Sequence, residues 1–171
     1  MPISNQKLVR LALLVSVGLI LYIFETHIPQ PLPWVRIGLA NLVTIMALVL
    51  WGFWEALAVL LARIWLGSLF TGTILSPVFP FALAGGLASL FTMGLARRFL
   101  TPVLSVIGIS ILGALAHNLT QLILAYQLYV HRGELFYLLP PILLSTLLTG
   151  SFIGLIVALV TARGALQSWQ T

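Results

Sequence analysis

The stretch Trp51–Ala56, "WGFWEA", decides how many helices the chain contains. Apolar residues run on both sides of it, from about 37 to 70, and form either one helix or two. A single helix of that length would reach about 51 Å, well beyond a hydrocarbon core of about 30 Å. The stretch therefore predicts a tight turn between two separate helices.

The composition on either side of this turn is that of an integral membrane protein. Of the 171 residues, 61% are hydrophobic and 6% are charged, whereas soluble domains carry about 25% charged residues. No soluble fold of this size could bury so much apolar surface. We therefore expect an all-α integral membrane protein that forms a single transmembrane domain over residues 1–171.

Six apolar segments fit this length, and we expect six transmembrane helices. They cover about 8–24, 37–51, 55–70, 79–96, 103–130 and 137–162. The first segment lacks a small-residue cleavage pattern and should be a retained helix rather than a signal peptide.

The basic residues predict the orientation of the helices. With six spans and both termini in the cytoplasm, five basic residues face inward: Lys7, Arg10, Arg97, Arg98 and Arg163. Only Arg36 and Arg132 then face outward, which follows the positive-inside rule. We expect a multi-pass protein of a prokaryotic cell (inner) membrane with the N- and C-termini cytoplasmic. Membrane orientation also explains the scattered basic residues better than nucleic-acid binding does.

Missing residue types exclude several kinds of chemistry. The chain has no cysteine and no aspartate, so thiol catalysis and paired aspartates for Mg²⁺ on a prenyl diphosphate are excluded. Lys7 is the only lysine, and no GxxxxGK[ST] loop for ATP is present. His-based metal spacings such as HExxH are also absent. We therefore predict no catalytic residue, no metal, no cofactor and no enzyme activity of the chain by itself.

Arg63 lies near the middle of the third apolar segment, in "VLLARIWLGSLF". A charge at mid-bilayer costs at least about 2.5–3.5 kcal/mol, so we expect Arg63 to face protein or a water-filled cavity. The alternatives are a structural ion pair or an arginine that extends to the membrane surface.

A second polar group lies in the fifth segment, in "GALAHNLTQLILA". His117 and Gln121 share a helix face, and Asn118 lies beside them. They either contact a substrate or form interhelical hydrogen bonds that hold the bundle together.

Two irregular segments predict a site at the outer side. "ETHIPQPLPWVRIGLAN" should form a stiff, non-helical strap that positions Glu25, Arg36 and Asn41 at the top of the bundle. The turn after the third segment adds Thr73 and Ser76 near backbone N–H groups that suit an anion. The alternative for each is an ordinary connecting loop.

Small residues predict close helix packing. Gly150 and Gly154 form a GxxxG face in the sixth segment, where we expect another helix to approach closely. Ala12 and Ser16 form a similar face on the first segment, which either packs within the bundle or docks a separate membrane partner.

The motifs "E..IPQPLPWVRIGLAN", "R...G.L.TG" followed by "SP", and "G..AHN.TQ" resemble one family over about residues 25–154. It is the family called heptaprenyl diphosphate synthase component I, or the Gx transporter family, which is similar to the substrate-binding (S) components of energy-coupling factor (ECF) transporters. The resemblance implies a six-helix bundle with an outward pocket under loops. It also implies that Ala12 and Ser16 dock onto a membrane partner that carries ATPases.

Two functions follow from the resemblance. The first is the substrate-binding component of an ECF-type uptake transporter for a small anionic or amphipathic molecule. Its pocket would be lined by Glu25, Arg36, Asn41, Arg63, Thr73, Ser76, His117, Asn118 and Gln121. The alternative is a non-catalytic membrane accessory subunit that holds a polyprenyl diphosphate synthase near the lipid.

Overall fold

The computed structural model describes residues 5–27, 38–101 and 103–162. Six α-helices follow one another: α1 (Asn5–Thr26), α2 (Asn41–Leu50), α3 (Phe53–Phe70), α4 (Val78–Leu100), α5 (Val106–Ala125) and α6 (Leu139–Ala162). A π-helical turn, Tyr126–Val130, and a 3₁₀ helix, Gly133–Leu138, connect α5 to α6. These described ranges contain no strand, and the prediction of an all-helical protein is confirmed.

The turn that the sequence predicted at Trp51–Ala56 separates α2 from α3. Gly52 adopts φ +114°, a conformation that a residue with a Cβ rarely adopts, so the chain reverses there at little cost. The Gly52 carbonyl then accepts from the Ala56 N–H at 3.2 Å, which starts α3. The second and third apolar segments are therefore distinct helices.

The helices differ in how they fit a membrane. Five helical segments are long and apolar enough to cross one by length and composition, as expected of a multi-pass membrane protein. The second predicted span instead contains α2, a helix of 10 residues. At about 1.5 Å per residue α2 rises about 15 Å, half of a hydrocarbon core. Six full crossings and the cytoplasmic placement of both termini stay predictions.

The short helix α2 lies at the centre of the bundle. Val43 lies on one side of it and Ile45 and Leu48 lie on the other, and all three are buried. It packs against α1, α3, α4 and α6. A helix that is apolar on all sides is stable only when surrounded, so α2 forms the core around which the longer helices pack.

The bundle has two chemically different ends. The basic end carries Lys7, Arg10, Arg97 and Arg98, where α1 begins and α4 ends. The loop end carries the turn after α3 and the helical connection from α5 to α6. Glu25, near the end of α1, lies at the loop end, as does Gly38 ahead of α2.

The predicted GxxxG face on α6 is confirmed as a close-packing surface against α5. A Cβ on Gly154 would lie 2.6 Å from the Ile107 Cα, and one on Gly150 would lie 2.8 Å from the Ile111 Cα. Both obstacles are backbone atoms, which cannot move aside as a side-chain end can. The two helices therefore approach each other because these positions lack side chains.

Gly154→Ala should destabilise the bundle because its methyl group overlaps the α5 backbone. We expect a loss of about 1–3 kcal/mol in the free energy of unfolding, measured by thermal unfolding of the purified protein in detergent. Gly133→Ala is the matched control, because a Cβ there meets no atom within 4 Å. Equal stability of the two variants would contradict this packing.

Candidate functional site

Two narrow clefts lie between the helices and share Gly38, Asn41 and His117 in their walls. The first cleft has a volume of about 20 Å³, and its other lining residues are Tyr22, Glu25, Ala40, Arg63 and Ala82. The second cleft has a volume of about 10 Å³, and its other lining residues are Ser110, Ala114, Asn118 and Ile153. A water molecule needs about 10–15 Å³. In this conformation each cleft therefore has room for about one water molecule.

Glu25 ties the end of α1 to the segment ahead of α2. Its carboxylate is 1% exposed and accepts a hydrogen bond from the Gly38 backbone N–H. Gly38 has φ +84°, which suits a glycine. The Gly38 carbonyl in turn accepts from the Asn41 N–H at 2.8 Å at the start of α2. A buried carboxylate thus holds part of the backbone that lines the first cleft.

Arg63 points into the bundle from α3. Its side chain is 5% exposed, and Nε donates to the Thr44 hydroxyl of α2 at 3.3 Å. Gly18 of α1 makes room for it, because a Cβ there would lie 3.3 Å from the Arg63 Cδ. The sequence expectation that Arg63 faces protein rather than lipid agrees with this placement.

Two asparagines form hydrogen bonds between helices. Asn118 Nδ2 on α5 donates to the Thr146 hydroxyl of α6 at 2.7 Å. Asn41 Nδ2 on α2 donates to the Ser89 hydroxyl of α4 at 2.8 Å. The Asn118 bond matches the interhelical role that the sequence left open for that residue. The Oδ1 atom of each asparagine is buried with no hydrogen-bond partner in the described part of the chain, so each also offers an open polar atom.

Gln121 is the most unusual polar residue of the site. It is 1% exposed, and neither Nε2 nor Oε1 has a hydrogen-bond partner among the described residues. Gly85 of α4 faces it, since a Cβ there would lie 3.3 Å from the Gln121 Cγ and 3.0 Å from the His117 ring. A buried amide without partners is costly, so such a group calls for a water or a ligand.

The structure separates the predicted site residues into groups. It brings six of them into or beside the two clefts: Glu25, Asn41, Arg63, His117, Asn118 and Gln121. Thr73 and Ser76 do not line either cleft. The Thr73 hydroxyl bonds to the Thr71 hydroxyl at 2.9 Å, and the Ser76 hydroxyl donates to the Thr73 carbonyl at 2.8 Å. These hydroxyls stabilise their own turn. Arg36 lies outside the described residues.

The two predicted docking residues lie on the outside of α1. Ala12 and Ser16 are both exposed, and the Ser16 hydroxyl donates to the Ala12 carbonyl at 2.9 Å. Because both residues are exposed, they do not form a buried interface with the other described helices of the bundle. Docking of a separate membrane partner there stays a prediction.

Sequence reasoning missed two polar neighbours of the site, Tyr22 and Thr44. Tyr22 lines the first cleft and forms a hydrogen bond with the Ser68 hydroxyl at 3.1 Å. Tyr22 lies three positions before Glu25, and Thr44 lies three positions after Asn41. Residues spaced i, i+3 on a helix share a face, so this spacing could have identified both neighbours. The described ranges hold no cluster of three or more potential metal-ligating residues.

Gln121→Leu should leave the bundle as stable as before or more stable. Removing an unpartnered buried amide should raise the free energy of unfolding by up to about 2 kcal/mol, measured by thermal unfolding in detergent. Thr146→Val is the contrasting variant. It removes the partner of Asn118 and should lower the same quantity by about 1 kcal/mol. If Gln121→Leu destabilises more than Thr146→Val, the amide has a structural partner and the site account is wrong.

Comparison with known proteins identifies the family of the chain. A family model described as "Heptaprenyl diphosphate synthase component I" matches residues 14–160. No curated protein and no solved structure is significantly similar to the chain. The name describes a component of a synthase, which agrees with the prediction that the chain is not an enzyme by itself. The match confirms the resemblance seen in the motifs: the chain belongs to the heptaprenyl diphosphate synthase component I family.

Proposed function

We propose that the chain is a non-catalytic membrane subunit of a heptaprenyl (polyprenyl) diphosphate synthase and serves isoprenoid or quinone biosynthesis. The observation that carries the proposal is the family match over residues 14–160. The catalytic work would belong to a separate prenyl synthase subunit, since this chain has no aspartate to hold Mg²⁺ on a diphosphate. Its own role would be to hold that subunit at the lipid.

The basic end of the bundle supports this role. Glu55, at the start of α3, is neutralised by Lys7 through an ion pair of 2.5 Å. Arg10, Arg97 and Arg98 then leave this end positive. By the positive-inside rule it faces the cytoplasm, where a soluble synthase subunit and its anionic diphosphates would meet it. The positive end would attract such partners over roughly a Debye length of 8 Å.

The second candidate is the substrate-binding component of an ECF-type uptake transporter. The observation that favours it is the buried polar cluster around the two clefts, whose open amide atoms on Asn41, Asn118 and Gln121 suit a ligand. The clefts hold about one water each, so binding of a small anionic or amphipathic molecule would require opening at the loop end. Transport would also need a membrane partner with ATPases, docked at Ala12 and Ser16 of α1.

Purification from native membranes separates the two functions. We expect the tagged chain to recover a polyprenyl diphosphate synthase subunit, identified by mass spectrometry. Arg10→Glu at the basic end should lower that recovery several-fold because it reverses a charge at the contact surface. Arg132→Glu, a matched reversal at the loop end, should leave it unchanged. Recovery of membrane-embedded ATPase subunits in place of the synthase would overturn the proposal in favour of transport.

A further inference from the structure

A third, larger cavity opens on the outside of the bundle at the basic end. It is a groove of about 340 Å³ between the start of α3 and the end of α4, lined by Phe53, Trp54, Phe91, Gly94, Leu95 and Arg98. Its volume falls at the lower end of the range of about 300–1,000 Å³ for ligand pockets. It lies apart from the two clefts and shares no residue with them.

Aromatic rings build the walls of the groove. The Phe53 ring packs edge-on against Trp54 with centroids 5.6 Å apart. It packs at a tilt against Phe91 with centroids 5.3 Å apart. Gly94 lets this ring come close to α4, because a Cβ there would lie 2.9 Å from the Phe53 Cδ2. Trp54, in contrast, is not packed closely against α4, because it is 76% exposed. The groove thus has a fixed ring at its base and a large apolar rim that nothing in the described chain covers.

One positive charge lines the groove. Arg98 is exposed, and its guanidinium carbon lies 5.6 Å from the ring centre of the phenylalanine that follows it. It has no carboxylate partner within the described ranges. The neighbouring Arg97 instead binds within the bundle, where its Nη2 donates to the Val49 carbonyl at 3.1 Å. Glu55, the described carboxylate at this end, is occupied by Lys7. An apolar groove with an uncompensated guanidinium fits an anion that carries an apolar chain, because guanidinium binds phosphate oxygens in a bidentate manner.

We propose that this groove binds the isoprenoid chain of a polyprenyl diphosphate, with its diphosphate group on Arg98. The inference rests on the proposed function, which supplies the diphosphate. Two features favour this occupant over a membrane phospholipid. A terminal diphosphate carries more negative charge than the phosphodiester of a phospholipid, and flat methyl-branched alkene units stack on aromatic walls. The groove takes only part of a long chain, and the remainder extends into the bilayer.

The groove then acts as an exit path for the product. A heptaprenyl chain is too apolar to leave a soluble enzyme into water, since each buried CH₂ contributes about 0.8 kcal/mol. A groove that is open to lipid along its side and basic at its end receives the chain and the diphosphate together. The bond-forming chemistry stays in the catalytic subunit.

Binding is tested on the full chain in nanodiscs of phosphatidylcholine, with geranylgeranyl diphosphate as the probe and native mass spectrometry as the readout. Trp54→Ala and Arg98→Gln should each weaken binding about tenfold or more, by loss of apolar contact and of a charge-assisted hydrogen bond. Trp65→Ala, on the same helix outside the groove, and Arg132→Gln, at the loop end, are the matched controls and should change binding less than about twofold. Trp54 and Arg98 are exposed, so folding should persist, and size-exclusion chromatography checks it.

Two results would overturn the inference. The first is unchanged probe binding in both groove variants. The second is displacement of the probe by an equal concentration of phosphatidylglycerol, which would make the groove an ordinary lipid contact. Recovery of the synthase subunit is scored separately on the same variants. Unchanged probe binding in both groove variants, with the synthase subunit still recovered, refutes the groove alone. Probe binding that the groove variants weaken, without recovery of the synthase subunit by the unaltered chain, refutes the proposed function alone.

Discussion

Burial of Glu25 and Arg63 inside an apolar bundle is the constraint on which the other features depend. Glu25 is 1% exposed and Arg63 is 5% exposed, so both charged groups lose most of their hydration. Such groups persist only where polar neighbours replace water. The chain supplies those neighbours from separate elements: the Gly38 N–H ahead of α2 for Glu25 and the Thr44 hydroxyl within α2 for Arg63. Both neighbours belong to α2 or to the residues just ahead of it. The short helix α2 therefore lies at the centre of the bundle, where its polar groups reach Glu25 and Arg63 and its apolar groups pack in the core.

Glycines, which have no side chain, make this arrangement possible. Gly18 leaves space for the Arg63 stem, Gly85 for His117, and Gly154 for the α5 backbone. Close approach of the helices then excludes lipid from the polar groups and leaves clefts of water size. The two ends of the bundle consequently serve different purposes. The interior near the loop end holds polar atoms with open hydrogen-bonding capacity, and the basic end presents charge and aromatic rings to the outside.

The sequence predicted the helical class, the turn at Gly52 and the GxxxG packing because each follows from local composition and spacing. It also predicted that Arg63 faces protein or water, and it gave interhelical hydrogen bonding as one of two readings for Asn118, since polar groups in an apolar helix have few other options. The short length of α2 was not predictable, because the apolar pattern continues beyond its ends. The same holds for Thr73 and Ser76, whose hydroxyls bond within their own turn. Hydroxyls serve turns and ligands equally well, and spacing does not distinguish these uses.

The central claim is that polar side chains from separate helices meet inside the bundle, and a cysteine pair tests it most directly. The chain has no native cysteine, so Asn41→Cys with Ser89→Cys creates a single pair of thiols between α2 and α4. A short thiol-specific cross-linker applied in membranes should link the pair, because Asn41 Nδ2 and Ser89 Oγ lie 2.8 Å apart and a cysteine sulfur ends one bond short of that amide nitrogen. Peptide mapping would detect the link. Asn41→Cys with Phe91→Cys, which places the second thiol on the exposed face of α4, should stay unlinked. Linkage of the control pair, or none in the Asn41–Ser89 pair, would contradict the account.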